Sequence, residues 1–557
     1  MAKIDSQVLF LTTSPRTPEK MIPEIRLLVD NFSHSVWNRE TQTRFMKILR
    51  EEDFFNGKGE KDPAFSARDR ITRAPKSLGF VRLFPTIEAT PAGVKLIAAS
   101  NPEEVFLRQL IKFQIPSPYH TLGKKAADFW IKPYLEMLRL VRVMGTLTFD
   151  ELQIFGMQLT NWNDFEVIVE KINRFRANGI KFKGRYKAYK LAILEQELRS
   201  IYSSRIERGE LKTRESADSS LAKFLRTQSS NMRDYADACF RYLRATGVVN
   251  VSYVGKSLSI VPERIQDVDF LLENVDRSPC FVEEKEKYVD YLGDDKVPVL
   301  LTDSRDCIVK RLHTDFGYSV QDIQLSTYEL KNILFSYVES RKQNSLREQV
   351  AEIKSYKLYT DVQRTFEQIV RGEIYDAPLM LEWNTWRAMT MLDGGNIMAN
   401  LRFDDFGKPL STAPGNTPDI VCDYGSYMLS VEVTMSSGQR QYEMEGESVS
   451  RHLGRLKKES KKPSYALFLA PTVNDATIAY FYALHRVNVS YYGGESVIVP
   501  LTIGTFQKML ESSYRADYRP QRENVETLFK RSTQIAHEAN SEQEWYEKVR
   551  EVAIHWL

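Results

Sequence analysis

Apolar residues recur at helical spacing over Val105 to Phe113 and again over Tyr134 to Val143, and both stretches are expected to form helices. Upstream, Ser77-Leu-Gly-Phe-Val-Arg-Leu-Phe84 reads as a strand. After a polar turn, Thr90-Pro-Ala-Gly93 opens a helix that carries on through Ile97. A second unit of this kind begins at Leu147, where Thr148 is an N-cap and Glu151 completes a capping box. Val249 to Ile260 reads as a hairpin turning around Val254 and Gly255. From Val268 to Glu348 the chain is charged and helical, with Leu330, Ile333, Leu334 and Val338 in a heptad-like row.

The pattern changes again from about Gln349. A helix carrying Leu381-Glu-Trp-Asn-Thr-Trp386 leads to a strand near Ile397 to Phe403, and then to a short apolar hairpin ending at Thr434. A polar helix with Glu445, Arg451 and His452 follows. Next come a strand over Tyr465 to Ala470, stopped by Pro471, a last strand over Ser496 to Leu501 and a helix at Phe506 to Leu510. The order is α-β-β-β-α-β. The two early units, each joining helices to a small wing-like hairpin, predict winged-helix subdomains. The expected architecture is therefore multidomain α+β: subdomains over 1–140 and 141–267, a helical linker over 268–348 and an α/β domain over 349–557.

A chain of 557 residues exceeds a single core and implies roughly three or four domains. Apolar and charged contents are ordinary for a soluble globular protein. The formal net charge of +3 does not by itself suggest nucleic acid. Four cysteines, Cys239, Cys280, Cys307 and Cys422, lie far apart with no CxxC pair, which disfavours zinc or a disulfide framework and suits a reducing cytosol. No apolar run approaches the ~20 residues of a membrane span, and no signal-peptide pattern opens the chain, so a cytoplasmic protein is expected. No GxxxxGK[ST] loop and no HExxH spacing are present, which disfavours NTP-driven motion and zinc hydrolysis.

The candidate chemistry lies in the hairpin. Asn416-Thr-Pro-Asp419-Ile-Val-Cys-Asp423 turns at Tyr424-Gly425-Ser426 and returns as Leu429-Ser-Val-Glu432-Val-Thr434. Two carboxylates on adjacent strands repel each other and raise a pKa. A hard divalent cation with oxygen ligands removes that cost, and Mg²⁺ suits such a site. Mg²⁺ so held polarises a phosphoryl oxygen and generates a nucleophilic water, the chemistry of phosphodiester hydrolysis. Pro-Asp, a spacer and Glu-x-Lys form the PD-(D/E)xK pattern; Thr434 stands here at the lysine position. Strand alternation puts Ser430, Glu432 and Thr434 on one face and Val431 and Val433 toward the core. A solvent-facing Glu on an amphipathic strand would read the same way. Glu382, crowded between Leu381 and Trp383, needs a partner if buried. Glu445, taken as opening its helix, is favoured there by the dipole alone. The sharper expectation gathers Glu382, Asp419, Glu432 and Glu445 around Mg²⁺, with Asp419, Glu432 and Glu445 as ligands and His452 placing a phosphate or water.

Lys171 to Lys190 carries Lys171, Arg174, Arg176, Lys181, Lys183, Arg185, Lys187 and Lys190 without an Asp or Glu, interleaved with Phe175, Phe182, Tyr186 and Tyr189. A one-signed run of this length in a nearly neutral chain suits phosphate contact, which holds a duplex without reading it. Base reading is better served by closely spaced arginines. Ser66, Arg68, Asp69, Arg70 and Arg73 form one such group, Ser229 and Arg233 a second, and Arg16 in the Ser14 to Lys20 turn adds to them. A surface salt-bridge cluster would give the same residues.

These segments together resemble the type IIS restriction and nicking endonucleases related to AlwI, PleI, MlyI and BstNBI. The resemblance runs through nearly the whole chain. It rests on Ser14-Pro-Arg-Thr-Pro-Glu-Lys20, Ala64-Phe-Ser-Ala-Arg-Asp-Arg70, Gly79-Phe-Val81, Glu382-Trp-Asn-Thr-Trp386, Gly415-Asn-Thr-Pro-Asp419, Glu432-Val-Thr434, Met444-Glu445 and Arg451-His452. It implies winged-helix recognition subdomains, a helical linker and a C-terminal restriction-endonuclease-like domain whose α-β-β-β-α-β order is that of the PD-(D/E)xK core. It also implies a short asymmetric double-stranded site of the GGATC or GAGTC kind, Mg²⁺-dependent cutting a few bases downstream, and Glu382, Asp419, Glu432 and Glu445 as the acidic residues. Glu-Val-Thr is the family's own pattern, so Thr434 is no sign of inactivity. One active site per chain cuts one strand per engagement. Cutting both strands calls for a transient second copy or a small subunit; nicking does not. A DNA-binding regulator with an inactive nuclease core, or a structure-specific repair nuclease, would share many of these features.

Overall fold

A computed structural model describes residues 2–52, 54–55, 62–99, 101–182, 184–213, 216, 218–320, 324–392, 394–404, 407–414 and 417–557. The chain parts into two compact units, one of 1–52 with 57–335, the other of 336–557 with 53–56. No helix among the described residues is long and apolar enough to cross a membrane.

In the first unit, α1 (Met21–Phe32) and α2 (Arg39–Glu51) precede α3 (Pro63–Thr72), which starts sharply because Asp62 accepts from Phe65 N at 3.1 Å and Pro63 follows the cap. The expected strand over Ser77 to Phe84 shrinks to β1 (Val81–Arg82), paired with β2 (Glu88–Ala89). The reason is local. Gly79 adopts φ 79°, and α4 (Pro91–Ala98), capped by Thr90, packs so closely that a Cβ on Gly93 would lie 2.0 Å from the Phe80 carbonyl oxygen.

β3 (Thr146–Thr148) then leads into α5 (Phe149–Ile154). The capping box forms as expected: Thr148 N donates to Glu151 at 2.9 Å and Glu151 N to Thr148 Oγ1 at 3.2 Å. The helices α6 (Phe165–Gly179), α7 (Tyr186–Ile201) and α8 (Leu221–Arg244) follow. The expected hairpin is present as β4 (Val249–Ser252) and β5 (Ser257–Ile260), and β3 joins it in the order β3-β5-β4. In the helical stretch beyond Val268, Leu330 and Leu334 of the heptad-like row are buried while Ile333 is only half-buried; Val338, also buried, falls in the second unit. Residues 291–303 are bonded into this unit. Lys112 Nζ donates to the carbonyls of Tyr291, Leu292 and Asp294, and Arg108 pairs with Asp303 at 3.0 Å.

The second unit carries α9 (Ala377–Leu392), β6 (Asn396–Ala399), β7 (Ile420–Asp423), β8 (Met428–Val433), α10 (Gln439–Ser460), β9 (Ser464–Ala470) and β10 (Ile498–Thr502). The sheet order is β10-β9-β8-β7-β6. β8, β9 and β10 are parallel, and β7 is antiparallel to both its neighbours. The strand expected over Ile397 to Phe403 is divided: Arg402–Phe403 pairs separately with Pro409–Ser411. At the break Asn400 stays with the first segment's partner, its Nδ2 donating to Pro418 O at 2.7 Å and its backbone N to Asp419 O at 3.0 Å.

β8 departs from the amphipathic pattern expected of it. As the middle strand it is covered on both faces, so Ser430, Val431 and Glu432 are all buried, while Val433, expected in the core, is partly exposed.

Candidate active site and nucleic-acid surface

The hairpin sets two carboxylates from the ladder itself. The register Ile420↔Val431 puts Asp419 beside the end of β8, and its Oδ2 accepts from Val433 N at 2.8 Å. Glu432 leaves the same strand one residue earlier, and its Oε1 lies 2.8 Å from His452 Nδ1 on α10. Glu445, also on α10, accepts from Thr434 Oγ1 at 2.8 Å. The side chain standing at the lysine position thus orients the third acid. Glu445 lies well inside α10, which begins at Gln439, so proximity to a helix start does not account for it.

Three acids share this site, and among the described residues no Lys or Arg forms an ion pair with any of them; Arg451 acts on Glu432 only from a distance. Burial, then Glu432, with Glu445 adding to it, holds the Asp419 carboxyl well above the usual range, against the pull of the Val433 N–H. Asp419 keeps an accessible edge although protein atoms surround it. Burial and Glu445 push Glu432 up likewise, against a smaller pull from Arg451, and burial raises Glu445 against the Thr434 hydrogen bond. His452 is driven down to about 4, chiefly by burial and then by Arg451 and Arg455, so it is neutral at physiological pH. Its Nε2 is buried with no hydrogen-bond partner among the described residues.

Glu382 is held from a different side. Its Oε2 accepts from Ala413 N at 2.9 Å, which explains how α9 tolerates a buried acid. It lines a groove of about 440 Å³ with Leu381, Val433, Thr434, Ser436 and Arg440. The donor set facing the hairpin consists of oxygen atoms, which fits Mg²⁺. No three His, Cys, Asp or Glu side chains among the described residues form a ready metal cage. Mg²⁺ needs none, since it is commonly held by one or two carboxylates, substrate phosphate and water.

The nucleic-acid candidates divide sharply. Four cations of the basic run are balanced by acids from outside it: Lys171 by Glu197 at 2.8 Å, Arg174 by Glu170 at 2.6 Å, Arg176 by Glu151 at 2.7 Å and Lys190 by Asp150 at 3.0 Å. Lys181, Arg185 and Lys187 are exposed and have no acid partner among the described residues; Lys183 lies outside those residues, as do Gly415 and Asn416. The interleaved aromatics stack mainly on one another, Phe182 and Tyr189 at 4.8 Å and Phe175 and Tyr189 at 5.1 Å.

On α3, Phe65, Arg68, Asp69 and Thr72 share one helical face, and Arg73 follows at the C-cap. Arg68 lies over the Phe65 ring at 5.7 Å, and Asp69 holds Arg73 at 2.5 Å. Arg70 turns inward to Glu24 at 2.6 Å, and Ser66 is half-buried on that side. Arg16 meets Asp234 at 3.6 Å, which brings the amino-terminal turn to α8, where Ser229 and Arg233 lie; Arg233 is exposed and Ser229 half-buried. Sequence reading passed over Arg226 and Arg440. Arg226 was legible from its position two helical turns before Arg233; Arg440 carried no signal beyond lying on the helix of Glu445.

A family model described as AlwI restriction endonuclease matches residues 76–509. Among solved structures, the chain is similar to the small subunit of the heterodimeric restriction endonuclease R.BspD6I, with 22% identity over 34% of this chain and 98% of that one and a TM-score of 0.30. No curated protein matches.

Proposed function

Because the chain belongs to the AlwI restriction endonuclease family, we propose that it is a type IIS site-specific endonuclease. In this reading residues 1–140 and 141–267 recognise a short asymmetric duplex, 268–348 connect, and 349–557 cut a few bases away. The observation that carries the proposal is the convergence of Asp419, Glu432 and Glu445, from two strands and a helix, on one desolvated cluster in which each acid is held by a neighbouring donor and raises or is raised by another.

Asp419 and Glu432, with Glu445 beside them, would hold Mg²⁺, which when bound polarises the scissile phosphate and acidifies a water. The chain's own groups do the positioning. Val433 N–H fixes the Asp419 carboxylate, His452 Nδ1 fixes Glu432, and Thr434 Oγ1 fixes Glu445. Neutral His452 leaves its second nitrogen to meet a phosphate oxygen or a water. Glu382 shapes the groove wall.

The succession α9-β6-β7-β8-α10-β9 supports a PD-(D/E)xK core, and the β3-β5-β4 sheet with α5 and α8 inserted before the hairpin supports a winged-helix subdomain. Four unbridged cysteines suit a reducing cytoplasm. Double-stranded DNA is the partner, and a second copy or a small subunit would complete the cut on the other strand.

Supercoiled plasmid incubated with Mg²⁺ tests the proposal. Wild type yields open circles if it nicks and linear DNA if it cuts both strands, while Asp419→Ala gives neither and still retards the DNA. Normal cleavage by Asp419→Ala would overturn the assignment.

A further inference from the structure

We infer that the amino-terminal half of α8 reads bases, with Arg226 and Arg233 as the side chains that reach them; this rests on the proposal that the chain binds DNA at a specific site. α8 changes character along its length. From Ala236 on it is architecture, with Ala238, Cys239, Phe240, Tyr242 and Leu243 buried. From Leu221 to Arg233 it carries no Asp or Glu, and Phe224, Leu225 and Met232 bury the inner side.

The outer side is the row Ala222, Arg226, Ser230 and Arg233. All four are exposed, at the spacing a single helical face requires. Neither guanidinium has an acid, a ring or a hydrogen-bond partner among the described residues. This sets them apart from Arg70, Arg73, Arg174 and Arg176, all of which are engaged by carboxylates.

Two open arginines about two turns apart, separated by small side chains, suit a helix laid into a major groove. Ala222 and Ser230 let the backbone approach the groove floor, and each guanidinium can address guanine O6 and N7 bidentately. The first acid of the helix, Asp234, faces Arg16 instead, and Tyr242 Oη donates to Pro15 O at 3.0 Å. The amino-terminal turn is thereby fastened next to the reading half as a positioning element.

A duplex library with a randomised core, retained by the protein in metal-free buffer and then sequenced, tests this without cleavage. Wild type is expected to enrich one motif. Arg226→Ala and Arg233→Ala should each lose about 5- to 150-fold discrimination at one or two neighbouring base pairs, the rest of the motif being kept. Thermal unfolding should be unchanged, because both side chains are exposed. Retention of the full motif with evenly weaker binding would make the arginines phosphate clamps and overturn the inference, as would a wild-type protein that enriches nothing. A motif enriched by protein that leaves plasmid uncut even with Mg²⁺ would defeat the nuclease proposal while upholding the role of α8.

Discussion

Two concentrations of like charge in this chain meet opposite fates. The cations from Lys171 to Lys190 look uncompensated in the sequence, yet four of them are balanced by Glu197, Glu170, Glu151 and Asp150. The acids Asp419, Glu432 and Glu445 look scattered, yet the fold gathers them, buries Glu432 and half-buries the other two, with no Lys or Arg ion-paired to any of them among the described residues. A one-signed run along a chain therefore says little until its partners in space are known. Like-charged groups that the fold itself brings together, with no ion pair from Lys or Arg, are the stronger pointer to a binding site, which is why the proposed function rests on them.

The largest test of this contrast is Asp419→Asn, which keeps the acceptor for Val433 N and removes a charge. Cleavage should fall to background while the metal-free protein becomes more stable, its melting midpoint rising by a few degrees. Mg²⁺ should raise the wild-type midpoint more than that of the variant. A wild-type midpoint indifferent to Mg²⁺ would remove the basis for calling the acid cluster a cation site.

On the basic side, Arg176→Ala should cost about 2–4 kcal/mol in urea unfolding, because Glu151 loses its cation while buried; partial exposure of Arg176 keeps the figure below that of a fully buried pair. A loss under roughly 0.5 kcal/mol would show the pair to be ornamental. Removing Lys181, Arg185 and Lys187 together should leave stability alone and make the salt dependence of DNA affinity shallower by about 2–3 in log–log slope. An unchanged slope would take the run out of the DNA surface altogether.

The smallest effect is in pH. The raised carboxyl of Asp419 makes the folded state hold a proton that the unfolded state has released, so this group costs stability as pH rises through its folded pKa. The stability advantage of Asp419→Asn over wild type should be greatest at neutral pH and shrink on acidification. His452 acts in the opposite sense. With its folded pKa near 4 against an ordinary 6.5, it costs stability as pH falls across that interval, and His452→Gln should flatten the profile there. Parallel wild-type and His452→Gln profiles would contradict a neutral, buried imidazole.

Much of the site could be read in the chain because its signals are local. The Thr148 and Thr90 caps, the Val249 to Ile260 hairpin and the Asp419 to Glu432 hairpin are each encoded within a few residues of themselves. His452 and Glu445 share a helix, and their common face follows from helical period. Most of the misreadings came from contacts between residues apart in the sequence. Strand alternation failed at β8, since burial on both faces is a property of its neighbours. Arg70 and Arg176 look open in the sequence and meet Glu24 and Glu151 only in the fold, whereas Glu170 lies one helical turn before Arg174 and was legible. The Ser77 to Phe84 strand was cut short by the approach of Gly93, which an apolar count cannot register.

The ladder between β7 and β8 also decides how this hairpin can change. Ile420↔Val431 through Asp423↔Met428 hold the two strands in step, and the link from Asp419 to Val433 N closes the end remote from the turn. The gap between the Asp419 and Glu432 carboxylates is thus gauged by backbone pairing, as by the jaws of a caliper, and not by the connection at Tyr424 to Ser426. Insertions at that tip should leave the gauge untouched, whereas slippage of a single rung would open it.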